Sequence, residues 1–108
     1  MTAAIDATHG LMAYKKWRQS LVPLAVGTQL TFVAAYIGAT LSASIPAGSD
    51  FVVKDVVYPS GSRGESGRAV YTMVLVSPTG KEFKRRVYWG VEEIARRVEL
   101  GTIVLKAA

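Results

Sequence analysis

Four residues, Ser77-Pro78-Thr79-Gly80, constrain this chain more than any others. Proline supplies the φ of about −65° that the second position of a tight turn requires, and glycine accepts the left-handed conformation that closes a three-residue hairpin loop. Runs rich in β-branched and aromatic residues flank the turn, RAVYTMVLVS (68–77) and KEFKRRVYW (81–89). The turn therefore predicts an antiparallel hairpin. Ser77 stands opposite Lys81, and the pairing continues as Val76 with Glu82, Leu75 with Phe83, Val74 with Lys84, Met73 with Arg85, Thr72 with Arg86, Tyr71 with Val87 and Val70 with Tyr88.

Because side chains alternate along a strand, this register sorts the hairpin into two faces. One carries Tyr71, Met73, Leu75, Phe83, Val87 and Trp89, the expected core face, with Arg85 as its one charged member. The other carries Val70, Thr72, Val74 and Val76 opposite Tyr88, Arg86, Lys84 and Glu82. The cations thus form a stripe. Arg85 has three outlets on this reading: a bulge, the open end of a barrel past Met73, or a pair with Asp55.

Around the hairpin the pattern continues. Thr8 to Val22 places Leu11, Tyr14, Trp17 and Leu21 at three- and four-residue spacing, with Lys15, Lys16 and Arg18 off that line, which predicts an amphipathic helix ended by Pro23. TQLTF (28–32) and TLSASI (40–45) alternate apolar with polar residues, so both read as parts of one long first strand bent at Gly38. FVVKDVVY (51–58) is the next strand, and PSGSRGESG (59–67) is a glycine-rich loop expected to be mobile. GVEEIARRVELG (90–101) predicts a short helix with Val91, Ile94, Ala95 and Val98 buried, Glu92–Arg96 and Glu93–Arg97 pairs on its wet side, and Gly101 as its stop. TIVLK (102–106) is the last strand.

The order of three strand pieces, a hairpin, a short helix and a closing strand resembles SH3-like small barrels over roughly residues 28 to 106. The expected fold is mainly β (α+β), a small SH3-like barrel of about five strands with an N-terminal amphipathic helix and a short helix before the last strand. The expected organisation is residues 1–27 as tail and helix and 28–108 as the barrel domain.

Composition removes several kinds of chemistry. With no cysteine and a single histidine, His9, thiolate sites and triads lack their ligands and bases. No Walker loop, GxGxxG, HExxH or GxSxG occurs. The chain is expected to be no enzyme and to use no cofactor and no metal. An uncharged run of 31 residues, Gln19 to Ser49, is long enough for a membrane span, but Pro23, Gly27, Gln29, Gly38 and several Ser and Thr residues punctuate it, so extended structure is preferred.

Thirteen Lys and Arg against eight Asp and Glu give a formal charge of +5, which favours acidic partners. The first expectation is a nucleic-acid-binding module in which a base stacks on Tyr88 while Lys84 and Arg86 meet phosphates, with Arg63 and Arg68 closing from the loop and Lys15, Lys16 and Arg18 adding a second basic edge. The alternative is a protein-assembly or inhibitor component, viral, phage or secretory, docking on an acidic protein surface, with homo-oligomers allowed. A membrane-associated role ranks third. The expected location is cytoplasmic or virion-associated, with membrane or export left open.

Overall fold

The computed structural model describes residues 16–18, 20–59 and 68–106. Its five strands are β1 (Gln29–Phe32), β2 (Ser49–Val57), β3 (Val70–Val76), β4 (Glu82–Gly90) and β5 (Ile103–Lys106), with one helix, α1 (Val91–Leu100), between the last two. All pairings are antiparallel. The sheet order is β4-β3-β2-β1-β5: a four-strand meander whose first strand receives β5 on its far side. This is an open sheet with β4 and β5 as its edges, so the closure of a barrel is not made among the described strands.

The core lies on one face of the sheet. Leu30, Phe32, Phe51, Val53, Tyr71, Met73 and Ile103 point to that face and meet Val91 and Ile94 of α1, together with Ile45 and Ala69. Leu21 and Leu24, which follow the N-terminal helical residues, pack on the same side, and the Leu24 amide donates to the Tyr71 hydroxyl at 2.8 Å. Trp17 is buried, as the helical stripe predicted. Leu11 and Tyr14 fall outside the described residues, as does the expected mobility of residues 60–67. Among the described residues no helix is long and apolar enough to cross a membrane.

The first strand is shorter than its alternation suggested. After Phe32 the chain leaves the sheet, makes one isolated bridge between Tyr36 and Ile45, and turns through a 3-10 segment at Leu41–Ala43. Leu41, expected inward, is 95% exposed, while Ile45 is fully buried. Local polar groups explain the difference. The Thr40 hydroxyl accepts from the Ala43 amide, the Ser44 hydroxyl donates to the Thr40 carbonyl, and the Gly38 amide donates to Ser44 Oγ. Serine and threonine side chains thus give this backbone an alternative to a ladder. Gly38 is required where the loop closes, because a Cβ there would lie 2.6 Å from that of Ala43.

The hairpin turn forms as read. Gly80 has φ +89°, its amide donates to the Ser77 carbonyl at 2.9 Å, and the Ser77 amide donates to the Lys81 carbonyl at 2.8 Å. Val76 pairs with Glu82, as expected, but the next pairs are Val74 with Arg86, Met73 with Val87, Thr72 with Tyr88 and Tyr71 with Trp89. Phe83, Lys84 and Arg85 all stand in the span opposite Leu75, so β4 carries two extra residues there. A slip of two is even, and even slips keep every side chain on its original face.

α1 meets the sequence reading closely. Glu92 pairs with Arg96 at 3.5 Å and Glu93 with Arg97 at 2.9 Å, and the Gly101 amide closes the helix on the Arg97 and Val98 carbonyls. Its start differs in one respect: Gly90 is the N-cap and offers no side-chain oxygen to the first turn.

Candidate binding surface on β4

The face of the sheet opposite the core is partly closed by its own ion pairs. Lys54 is the extra residue of a bulge in β2, and its ammonium meets Glu82 of β4 at 2.9 Å. Those strands flank β3, so the pair bridges across it. Val74 of β3 is only 2% exposed although it points away from the core. On the other side of this face Lys106 meets Asp50 at 3.1 Å, and the Thr31 hydroxyl donates to Asp50 at 2.6 Å. Chiefly that hydroxyl, with help from Lys106, holds the Asp50 carboxyl below the usual carboxylate range.

What remains open is the strip along β4. Lys84, Arg86 and Tyr88 are all exposed, Tyr88 by 67%. Lys84 and Arg86 make no ion pair among the described residues, in contrast to Lys54, Lys106, Arg96 and Arg97. Phe83 joins them. It was expected in the core, but the extra residues carry the strand off β3 at this point and leave its ring 45% exposed. Val87 and Trp89 turn inward and are half-buried, as expected.

Arg85 takes the first of its three outlets. It sits in the bulge and does not meet Asp55; its guanidinium donates to the Ser44 carbonyl at 2.5 Å and to the Ser42 carbonyl at 3.1 Å. A charged residue with core-face parity thus becomes the tie between β4 and the 3-10 loop.

The remaining expected cations scatter. Arg68 is exposed just before β3, and Val70 pairs with Gly90, so it belongs to the end of β4 beyond Tyr88. Six residues separate Lys84 from Gly90, about 20 Å of strand. Lys16 is exposed and Arg18 half-buried in the helical segment, and the residues that follow them, Leu21 and Leu24, pack on the side of the sheet opposite Arg86 and Tyr88. Lys15 and Arg63 lie outside the described residues.

Beside the strip, at the outer edge of β4, runs a groove of about 510 Å³ that sequence reasoning missed. Its walls are residues 86–90, the loop at Tyr36 and Ser42, and the α1 side chains Glu93 and Arg97. The Arg97 guanidinium lies 4.9 Å from the Trp89 ring centre and 5.2 Å from that of Tyr36, and those two rings meet edge to face at 4.8 Å. The i,i+4 spacing accounts for the Glu93 partner of Arg97. Nothing in local spacing announces the two aromatic rings, since Tyr36 lies 53 positions before Trp89 in the sequence. 

Among the described residues no group of three or more His, Asp or Glu side chains gathers as a metal site would. No family model, curated protein or solved structure matches this chain.

Proposed function

We propose that the protein is a non-enzymatic nucleic-acid-binding module that holds a single strand along β4. One observation carries the reading: Lys84 and Arg86 are exposed, make no ion pair among the described residues, and share their strand face with the exposed ring of Tyr88. Phosphates meet the cations, and a base stacks on the ring without selection by sequence. The strand order, with β5 returning to β1 behind α1, supports reading the fold as an open relative of SH3-like small barrels.

The test is fluorescence anisotropy with a labelled single-stranded oligonucleotide across a salt series. The double variant Lys84→Glu/Arg86→Glu should lose affinity, and with two phosphate contacts gone the slope of log K against log salt should shrink by about 1.4. Tyr88→Ala should cost about 1–3 kcal/mol of binding. Absence of binding by the native protein at low salt removes the proposal, as does unchanged affinity in a folded double variant.

A further inference from the structure

The outer edge of β4, as distinct from the face that bears Arg86 and Tyr88, has the form of a strand-docking site. Among the described residues β4 pairs with β3 alone, so the main-chain groups of Arg86, Tyr88 and Gly90 that face away from β3 make no ladder there. The groove follows this stretch, which at the usual rise spans about 16 Å. Another strand hydrogen-bonded to β4 would lie about 4.8 Å away. Its side chains would alternate between the outer face, where Arg86 and Tyr88 stand, and the inner face, where Trp89, Tyr36 and Arg97 stand.

Charge selects the occupant. Arg86 lines the groove and Lys84 stands two residues before it, neither with an ion pair among the described residues, and the carboxylate in the groove, Glu93, is held by Arg97. A second copy of β4 added antiparallel about Val87 would bring the two Arg86 side chains into diagonal proximity, and β5 offers Lys106 but no acid. We propose that this edge takes an extended acidic peptide as a sixth strand, with carboxylates on its outer-face positions and apolar side chains against Trp89 and Tyr36. The inference goes beyond the nucleic-acid reading. It concerns the edge and not the face, and a main-chain ladder is what favours a peptide over a polynucleotide there.

The probe is a labelled nonapeptide of alternating Glu and Val, together with the same peptide N-methylated at alternate amides, which keeps the charge and loses the ladder donors. The native protein should bind the first and bind the second at least tenfold more weakly, while Arg86→Glu weakens the first by a similar factor. Gly90→Leu should also weaken it, since a Cβ at Gly90 has no atom within 4 Å and adds bulk at the groove without strain. Amide exchange of Arg86, Tyr88 and Gly90, whose N–H groups face away from β3, should slow in the complex. Equal binding of both peptides overturns the proposal, as does no binding of either. An oligonucleotide that is excluded by Gly90→Leu while the peptide is not would also overturn it and assign the groove to nucleic acid. The N-methyl comparison uses the native protein, so it stands whether or not the variants fold.

Discussion

Two neighbouring arginines should respond very unequally to the same substitution. Arg85 donates to a part-buried carbonyl at 2.5 Å and an exposed one at 3.1 Å, whereas Arg86 is exposed on the outer face. Hydrogen bonds to a charged group contribute about 1.5–3 kcal/mol where water is excluded. The exposed bond adds only a few tenths once solvent competes for it. Arg85→Met should therefore cost about 2 kcal/mol, with the loop at residues 41–44 losing its tie to β4. At about 4–8 °C per kcal/mol for a domain near this size, Tm should fall by roughly 8–15 °C. Arg86→Met should stay within about 0.5 kcal/mol, as surface substitutions do. Urea denaturation of the two variants, with thermal melts beside it, reads the difference directly. In a hairpin without the two-residue slip, Arg85 would instead face Met73 and bring an uncompensated charge to the core. Arg85→Met would then stabilise the protein, and that result, or equal losses at both positions, would refute the bulge and the tie together.

Four further outcomes follow from the packing. Asp50 has a lowered pKa in the folded state, so its contribution is present above the ordinary carboxylate value near pH 4 and is lost as pH falls through the folded value; Asp50→Asn should flatten the acid side of a Tm against pH curve. Burial raises Glu92 in the opposite sense, so its contribution declines as pH rises above about 4.5, and Glu92→Gln should remove that decline. Tyr71→Phe leaves the Leu24 amide without its hydroxyl partner and should cost about 1–3 kcal/mol by chemical denaturation. Gly90→Ser supplies the oxygen that the N-cap of α1 lacks and reduces the freedom of the unfolded chain, so it should raise stability by about 0.5–1 kcal/mol in the same assay.

The parts legible in the sequence are those fixed by neighbours in the chain. Pro78 and Gly80 announced the hairpin, and the Glu92–Arg96 and Glu93–Arg97 spacing announced the wet side of α1, because turn chemistry and helical pairing act within a few residues. Alternation alone misled at TLSASI, where hydroxyls bonded to nearby backbone groups outcompeted a ladder. The slip in β4 was hidden for a different reason: displacement by two leaves the apolar pattern unchanged, and only Arg85, out of place on the core face, betrayed it. The face of the candidate site was therefore readable while Phe83 was not. The groove was beyond reach, since Tyr36, Trp89 and Arg97 meet through tertiary packing that no local period encodes.

The bulge in β4 also governs how this hairpin can change over generations. Losing Lys84 and Arg85 together would restore a plain ladder and keep Arg86 and Tyr88 turned to the solvent side. Losing one of them alone would leave a single extra residue opposite Leu75, the kind of bulge that Lys54 makes in β2, with Glu82 and Arg86 still on their partners. Length variation at this spot should accordingly be absorbed by the bulge while the faces of the hairpin stay as they are.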